Sequence, residues 1–144
     1  MSGSTLTTRP IPAVGIVCLR GDDVLLVKRA KAPRKGEWSL PGGRIELGEG
    51  ARDAGLRELA EETNVCAEIT GLVDVVDAIF RSGDNPDDVH THYVLIDFAA
   101  RWTSGTPRAG DDAAEARFFA PSEVPALGLW DETVRVIDAA RALV

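Results

Sequence analysis

The chain has 144 residues, of which 44% are hydrophobic and 27% are charged, and this suits a single domain with a sizeable core. Its formal net charge of −7 argues against broad binding to a nucleic-acid backbone, because such binding needs a basic surface. No hydrophobic run approaches the length of a membrane span. We therefore expect neither a nucleic-acid polymer nor a membrane as a partner.

The N-terminal part of the chain predicts an arm followed by a β-hairpin. Residues 1–10 are rich in Ser and Thr and lack an apolar core, which indicates a flexible arm rather than a signal peptide. The apolar run 11–19, the turn 21–23 and the run 24–27 are typical of two strands joined in a hairpin. Residues 31–36 contain a proline and three basic side chains, and they predict a loop.

The middle of the chain predicts a short strand, a turn, a helix and a long strand. Residues 38–40 predict the short strand and Pro41-Gly42-Gly43 the turn. A helix is expected over 51–63, with Leu59 among the residues on its less polar side. The β-branched stretch 65–80 predicts one long or bent strand.

The C-terminal part predicts two more strands and a closing helix. Residues 81–89 and 103–112 are polar, contain Gly and Pro, and predict loops. Residues 90–99 and 115–119 predict strands between and after these loops. Asp131 is the expected N-cap of a helix that runs to about residue 142.

An unusual cluster of carboxylates falls within the predicted helix 51–63. Glu58, Glu61 and Glu62 have the spacing i, i+3 and i+4, which places them on one helical face. Each such like-charge pair costs a helix about 0.2–0.5 kcal/mol, so the cluster needs compensation. A divalent cation such as Mg²⁺ would neutralise the repulsion between the carboxylates. Mg²⁺ prefers oxygen ligands, and in proteins it often binds carboxylates and substrate phosphates together. The alternative is an ordinary acidic helix with one solvated face.

The spacing of residues 43–65 resembles the signature box of the Nudix hydrolases. After Gly43 come five residues, Glu49, seven residues and then Arg57-Glu58-Leu59-Ala60-Glu61-Glu62-Thr63-Asn64-Val65. The one fixed position that differs is Asn64, where the family usually has glycine. That position follows the helix end and needs a left-handed backbone, which asparagine tolerates best after glycine. Trp38-Ser39-Leu40-Pro41 before the box also fits the family.

The resemblance implies a fold, a metal and a set of ligands. The fold would be α+β, an α/β/α sandwich with a central mixed β-sheet and a catalytic loop-helix-loop, in a single domain over 1–144. Glu58, Glu61 and Glu62 would bind the metal together with the backbone carbonyl of Gly42. The expected cofactor is Mg²⁺, with Mn²⁺ as a possible substitute. A protein with a negative net charge would repel an anionic substrate, and bound metal ions would supply the positive charge that attracts it.

Other residues are candidates for catalysis and for substrate binding. Arg57 either makes an i, i+4 salt bridge or orients a ligand carboxylate, and the resemblance supports orientation. Glu115 is the expected alternative to a box glutamate as the general base, with Asp111 and Asp112 as rivals. The substrate-binding candidates, which would contact phosphates, are Arg29 and Arg44.

Several residues are expected to have structural roles only. His90 and His92 share one face of a strand, but no third transition-metal ligand accompanies them. Three aromatic residues that could stack on a base are assigned to the core: Phe80, Tyr93 and Trp130. Cys18 and Cys66 lie in apolar segments and are expected to be buried free thiols, which fits a cytoplasmic location.

Together these features favour a Mg²⁺-dependent pyrophosphohydrolase that cleaves a nucleoside diphosphate linked to another group, with an ADP-ribose-like substrate favoured. The first alternative is a (deoxy)nucleoside triphosphate pyrophosphohydrolase of the MutT type. The second is a non-catalytic nucleotide-sensing domain, although such domains usually lose box glutamates. The expected partner is a small-molecule nucleotide, and a homodimer is possible because many relatives are dimers.

Overall fold

The computed structural model describes residues 9–31, 34–81, 89–110 and 112–144. It therefore leaves most of the expected N-terminal arm and loop 81–89, part of loop 31–36, and Asp111 outside the described residues. The strands are β1 (Ile11–Arg20), β2 (Asp23–Arg29), β3 (Trp38–Ser39), β4 (Gly42–Arg44), β5 (Cys66–Arg81), β6 (Val89–Ser104) and β7 (Ala113–Phe119). The helices are α1 (Ala51–Thr63) and α2 (Asp131–Ala140), with short 3-10 turns at Val124–Leu127 and Arg141–Leu143.

The seven strands of the described residues form one mixed sheet. Its main order is β3-β2-β1-β6-β5, while β4 pairs with β1 and β7 pairs with β2. Strands β1 and β6 are parallel, and the other pairs are antiparallel. The expected hairpin is confirmed, because Leu19 pairs with Val24 across its turn.

The two helices lie on opposite faces of this sheet, which confirms the predicted α/β/α sandwich. Ala54 and Leu59 of α1 pack in a cluster with Ile16 of β1. Val136 and Ile137 of α2 belong to a second cluster that includes alternate residues of the same strand, Val17 and Leu19. The central strand is therefore buried on both faces, and this explains its continuous apolar sequence. None of the helices among the described residues is long and apolar enough to cross a membrane.

Some local predictions were wrong. Asp131 is the first residue of α2 rather than its N-cap, which is Trp130 and makes no side-chain capping bond. Cys18 is buried but Cys66 is exposed, because Cys66 begins the edge strand β5. The expected turn at 41–43 contributes Gly42 and Gly43 to strand β4, which pairs with β1.

Candidate functional site

The C-terminal end of α1 is fixed by the loop that follows β6. Asn64 has φ 64° and ψ 21°, which confirms the predicted left-handed position, and its N–H donates to the Ala60 carbonyl at 3.0 Å. The last carbonyls of a helix have no partner within the helix. Here the amide of Arg108 donates to Thr63 O at 2.9 Å, and the amide of Gly110 donates to Glu62 O at 3.0 Å. The loop thus holds the helical turn that carries the paired glutamates.

Arg57 links the loop before α1 to the carboxylates on the helix. Its Nε and Nη2 donate to the two carboxylate oxygens of Glu49 at 2.7 and 3.0 Å. Its Nη1 contacts Glu58 at 3.3 Å and Glu61 at 3.1 Å, while Nη2 also donates to the Arg44 carbonyl at 3.2 Å. The hydrogen bonds between Arg57 and Glu49 lower the pKa of Glu49 and raise the pKa of Arg57. One guanidinium therefore positions two helix carboxylates relative to the loop.

The two glycines of the loop allow close contacts with the other carboxylates. The amide of Gly42 donates to Oε1 of Glu62 at 2.8 Å. A Cβ on Gly43 would overlap the carboxylate of Glu58, and a Cβ on Gly42 would meet the backbone of β1 at Val14. Glycine is therefore required at position 42 by the backbone of β1, and at position 43 by the observed placement of the Glu58 carboxylate.

The donor atoms near these glycines suit a hard cation. Carboxylates and a backbone carbonyl are the ligands that Mg²⁺ prefers, and Glu58, Glu61 and Glu62 come from adjacent turns of one helix. Within the described residues, however, no three ligating side chains are grouped around a common point. Glu58 and Glu61 contact Arg57, and Glu62 contacts Gly42. The residues fit a hard cation in the type of donor atom, and binding would require their side chains to rotate towards it.

A cavity of about 720 Å³ opens beside the glycine loop, within the size range of ligand pockets. Gly42, Gly43 and Glu62 form part of its wall. The basic residues that line it are Lys28, Arg29, Arg34 and Arg44. Its apolar and aromatic wall residues include Trp38, Leu40, Val76, Ala78, Phe80, Tyr93, Leu95 and Trp130. Five acidic residues also line it: Glu37, Glu62, Asp97, Asp112 and Glu132. The cavity therefore combines basic, acidic and apolar side chains beside the glycine loop.

The structure brings some candidate residues to the cavity and leaves others away from it. Arg29 and Arg44 line it and are exposed. Asp112 also lines it and pairs with Lys31 at 2.8 Å. Glu115 is not among the lining residues, and its half-exposed carboxylate lies 3.5 Å from Nζ of Lys28.

The two histidines make hydrogen-bonding contacts of the kind expected for structural residues. The ring of His92 lies 3.3 Å from a carboxylate oxygen of Asp77 on the neighbouring strand. The ring of His90 lies 2.9 Å from the hydroxyl of Thr91. Among the described residues, no third potential ligand is grouped with them.

Three aromatic residues assigned to the core from sequence line the cavity instead. Phe80 and Tyr93 meet edge to face with ring centroids 6.5 Å apart, and Trp130 is 45% exposed. The guanidinium of Arg34 lies 4.6 Å from the centroid of the Phe80 ring. The assignment failed because residue type alone does not separate a core ring from a ring on a cavity wall.

Sequence reasoning also missed Asp97, a buried carboxyl group on the cavity wall. Asp97 is 5% exposed and lies in β6 between apolar neighbours. Burial, with a smaller contribution from the negative charge of Asp74, raises its pKa to about 6. A usable signal was present, because it is the one charged residue within the run Tyr93-Val94-Leu95-Ile96-Asp97-Phe98-Ala99-Ala100.

The chain is similar in sequence to known proteins over most of its length. The chain is 35% identical over 129 residues to ADP-ribose pyrophosphatase of Methanocaldococcus jannaschii, which covers 90% of this chain and 73% of that protein. It is 31% identical over 110 residues to a putative 8-oxo-dGTP diphosphatase of Bacillus subtilis, covering 76% of this chain and 66% of that protein.

The fold and the family signature agree as well. The structure of MutT NUDIX hydrolase from Burkholderia pseudomallei superposes with a TM-score of 0.76 at 28% identity, covering 91% of this chain and 98% of the other. A family model described as NUDIX domain matches residues 9–140. The chain therefore belongs to the Nudix hydrolase family.

Proposed function

We propose that the protein is a Mg²⁺-dependent pyrophosphohydrolase that cleaves a nucleoside diphosphate linked to another group, with ADP-ribose-like compounds as the favoured substrates. The observation that carries the proposal is the arrangement of Glu58, Glu61 and Glu62. Arg57 contacts the first two, and the Gly42 amide contacts the third, beside a cavity lined by four basic residues. A merely solvated acidic helix would not need these contacts.

The metal would be held by Glu58, Glu61 and Glu62 with the backbone carbonyl of Gly42. When bound, Mg²⁺ would lower the pKa of water and neutralise negative charge on the phosphate oxygens. Arg57 is a positioning residue, because its contacts orient carboxylates rather than reach into the cavity. Its bidentate pair with Glu49 fixes the direction of the guanidinium.

The substrate phosphates would bind Arg29 and Arg44, together with Lys28 and Arg34 on the same cavity wall. Guanidinium groups suit this role because they can donate two parallel hydrogen bonds to a phosphate. The neighbouring apolar and aromatic surface suits a nucleoside, which offers a flat ring for stacking.

For the proton of the attacking water, Glu62 is a better-placed acceptor than Glu115. Glu62 lines the cavity, whereas Glu115 pairs with Lys28 and is not among the lining residues. A general base must lie within hydrogen-bond reach of the proton that it removes. Glu115 would then act indirectly, by orienting the ammonium group of Lys28 at the cavity wall.

The favoured substrate class rests on the 35% identity with a relative named ADP-ribose pyrophosphatase. A nucleoside triphosphate pyrophosphohydrolase is the second candidate, because another relative is named a putative 8-oxo-dGTP diphosphatase. Both reactions use the same diphosphate chemistry, so the carboxylates do not separate them.

A phosphate-release screen with Mg²⁺, coupled to a phosphatase, tests the proposal. It covers ADP-ribose, nucleotide sugars, dinucleoside polyphosphates, NADH and the nucleoside triphosphates, with the Glu61→Gln protein as the control. We expect one class to stand well above the others and to lose turnover by orders of magnitude in the control. Full Mg²⁺-dependent activity of the Glu61→Gln protein would refute the ligand assignment. Silence of the wild type towards all substrates would favour nucleotide sensing.

A further inference from the structure

We propose that Asp97 determines specificity by accepting a hydrogen bond from an N–H or O–H donor on the nucleoside part of the substrate. The inference rests on the proposed function, because it assumes that a nucleotide occupies the cavity. It concerns the end of the ligand away from the phosphates, and Asp97 is not one of the metal-binding or phosphate-binding candidates.

The position of Asp97 in the sheet relates it directly to the glycine loop. Asp97 of β6 pairs with Gly15 of β1, and Gly15 pairs with Gly42 of β4. Neighbouring strands lie about 4.8 Å apart, so Asp97 and Gly42 are about 10 Å apart across the sheet. All three residues line the same cavity. A single ligand in the cavity can therefore contact both the loop and Asp97.

Space for the Asp97 carboxyl group is provided by the glycine beside it. A Cβ on Gly15 would overlap Oδ1 of Asp97 and would lie 3.6 Å from Cδ1 of Leu40. The side chain thus extends over Gly15 along the cavity wall, where Val76 and Leu95 are further lining residues. These apolar neighbours offer the carboxyl group no hydrogen-bond donor.

The Asp97 carboxyl group has charge partners at longer range but no direct protein donor. Among the described residues none donates a hydrogen bond to it, and its oxygens are not enclosed by protein but open to the cavity. The nearby cation is Arg135, whose guanidinium already contacts Asp74 at 3.0 Å and Glu132 at 2.9 Å. A carboxyl group that is 5% exposed on a cavity wall is poorly solvated, and polar groups in such places normally have hydrogen-bond partners. A ligand donor in the cavity would supply such a partner.

Charge determines which part of a nucleotide can meet Asp97. A carboxylate repels phosphate groups, while the four basic lining residues attract them: Lys28, Arg29, Arg34 and Arg44. The donors left for Asp97 are then the amino and ring N–H groups of a base and the hydroxyl groups of the ribose. Carboxylates accept hydrogen bonds from both kinds of donor. Asp97 would therefore orient the nucleotide as well as select it.

Equilibrium binding tests the inference without requiring turnover. AMP, GMP, CMP and UMP are titrated into the 144-residue protein with Mg²⁺ present. The tightest-binding nucleotide is then compared with its 2′-deoxy analogue and with an analogue that lacks the base N–H donors. The variants are Asp97→Asn and Asp97→Ala, with thermal melting to verify folding. The control is Asp77→Asn, which alters an exposed carboxylate of β5 that does not line the cavity.

We expect Asp97→Ala, which removes the acceptor, to weaken binding of the parent nucleotide by about tenfold to a hundredfold. Asp97→Asn keeps an acceptor oxygen and should weaken binding less, and Asp77→Asn should leave it unchanged. One of the two analogues lacks the group that donates to Asp97, and it should bind the Asp97 variants and the wild type equally. If this is the 2′-deoxy analogue, the donor is the ribose hydroxyl; if it is the analogue without base N–H groups, the donor is on the base. The inference would be overturned if the Asp97 variants bound every analogue more weakly by the same factor, or bound the parent nucleotide as tightly as the wild type does. It would also be overturned if the wild type bound none of the nucleotides. Failure of the proposed function would instead appear as an absence of phosphate release.

Discussion

The carboxylate of Glu58 lies where a side chain at position 43 would begin. A Cβ atom on Gly43 would be 2.6 Å from Cδ of Glu58, closer than real Cβ contacts allow. The absence of a side chain at Gly43 thus determines where the Glu58 carboxylate can lie, although fifteen positions separate the two residues in the sequence. Because Gly43 has no Cβ, the loop can approach the helix closely enough for this contact.

Replacement of Gly43 by Ala should therefore displace Glu58 while the fold is preserved. The clashing atoms belong to the far end of a flexible side chain, which can rotate away. We expect a loss of at least about tenfold in Mg²⁺-dependent turnover, since misplaced ligands typically cost 10- to 100-fold. The matched control is Gly50→Ala, because a Cβ on Gly50 meets only Asp53 at 3.9 Å. Equal turnover of both variants would contradict the prediction.

Arg57→Lys should reduce activity although the charge is kept. A lysine ammonium cannot form the bidentate pair with Glu49 and also reach Glu58, Glu61 and the Arg44 carbonyl. We expect turnover to fall about 10- to 100-fold and the Mg²⁺ concentration for half-maximal rate to rise. The control, Arg52→Lys, changes an exposed arginine of the same helix that lies over the Phe98 ring.

A double mutant separates positioning from a general loss of charge. Glu49→Gln should shift the Mg²⁺ dependence in the same direction as Arg57→Lys, because both remove the same bidentate contact. The combined variant should then lose less than the sum of the two single effects, as expected for residues in one network. Full additivity would show that the two residues act independently.

The features that the sequence predicts well are those determined by local pattern. Helix α1 has the predicted bounds, 51–63, because its apolar residues repeat with the helical period and its end needs the left-handed Asn64. The fold was also predictable, since the spacing of the box residues identifies the family. Strand β6 is longer than the predicted 90–99, because its polar end pairs by backbone with β5, as Arg101 does with Glu68.

The features that the sequence did not predict depend on tertiary contacts. The strand at Gly42–Arg44 forms because β1 provides a partner, and no local propensity indicates it. Cavity walls are likewise invisible in a linear pattern, so Trp130 could not be separated from core aromatics. The position of Glu115 after an acidic loop indicates a general base, and only the three-dimensional structure reveals its pairing with Lys28.

Asn64→Gly should change stability by no more than about 1 kcal/mol, because two effects oppose each other. Glycine removes the cost of a left-handed side chain, which is about 1–2 kcal/mol for most residues and smaller for asparagine. It also removes the hydrogen bond from Nδ2 of Asn64 to the Thr106 carbonyl at 3.1 Å, which contributes about 1 kcal/mol. Asn64→Ala loses this bond and keeps the strain, so thermal melting should rank it below both. An alanine variant as stable as wild type would contradict this account.

The stability of the protein should carry a pH dependence that comes from Asp97. Its pKa is raised from 3.8 to about 6 in the folded state, so between these values the folded protein retains a proton that the unfolded chain has lost. The contribution of Asp97 therefore falls as pH rises from about 4 to about 6, by about 2–3 kcal/mol in total, and stays constant above that range. The Asp97→Asn substitution removes this pH-dependent contribution to the free energy of unfolding. Carboxylates with a lowered pKa that do not interact with Asp97, such as Glu49 and Asp112, lose their stabilising effect on acidification in both proteins and cancel in the difference.

The measurement is the free energy of unfolding by urea for wild type and Asp97→Asn at several pH values from 4 to 8. The difference between the two proteins should shift in favour of Asp97→Asn as the pH rises, with its midpoint between about 4 and 6. The amide itself has a constant effect at every pH, so only the change with pH reports the buried charge. A difference that stays flat would show that the carboxyl group is not buried in its charged form. A shift of the opposite sign would mean that the folded protein stabilises the carboxylate, as a direct cationic partner would.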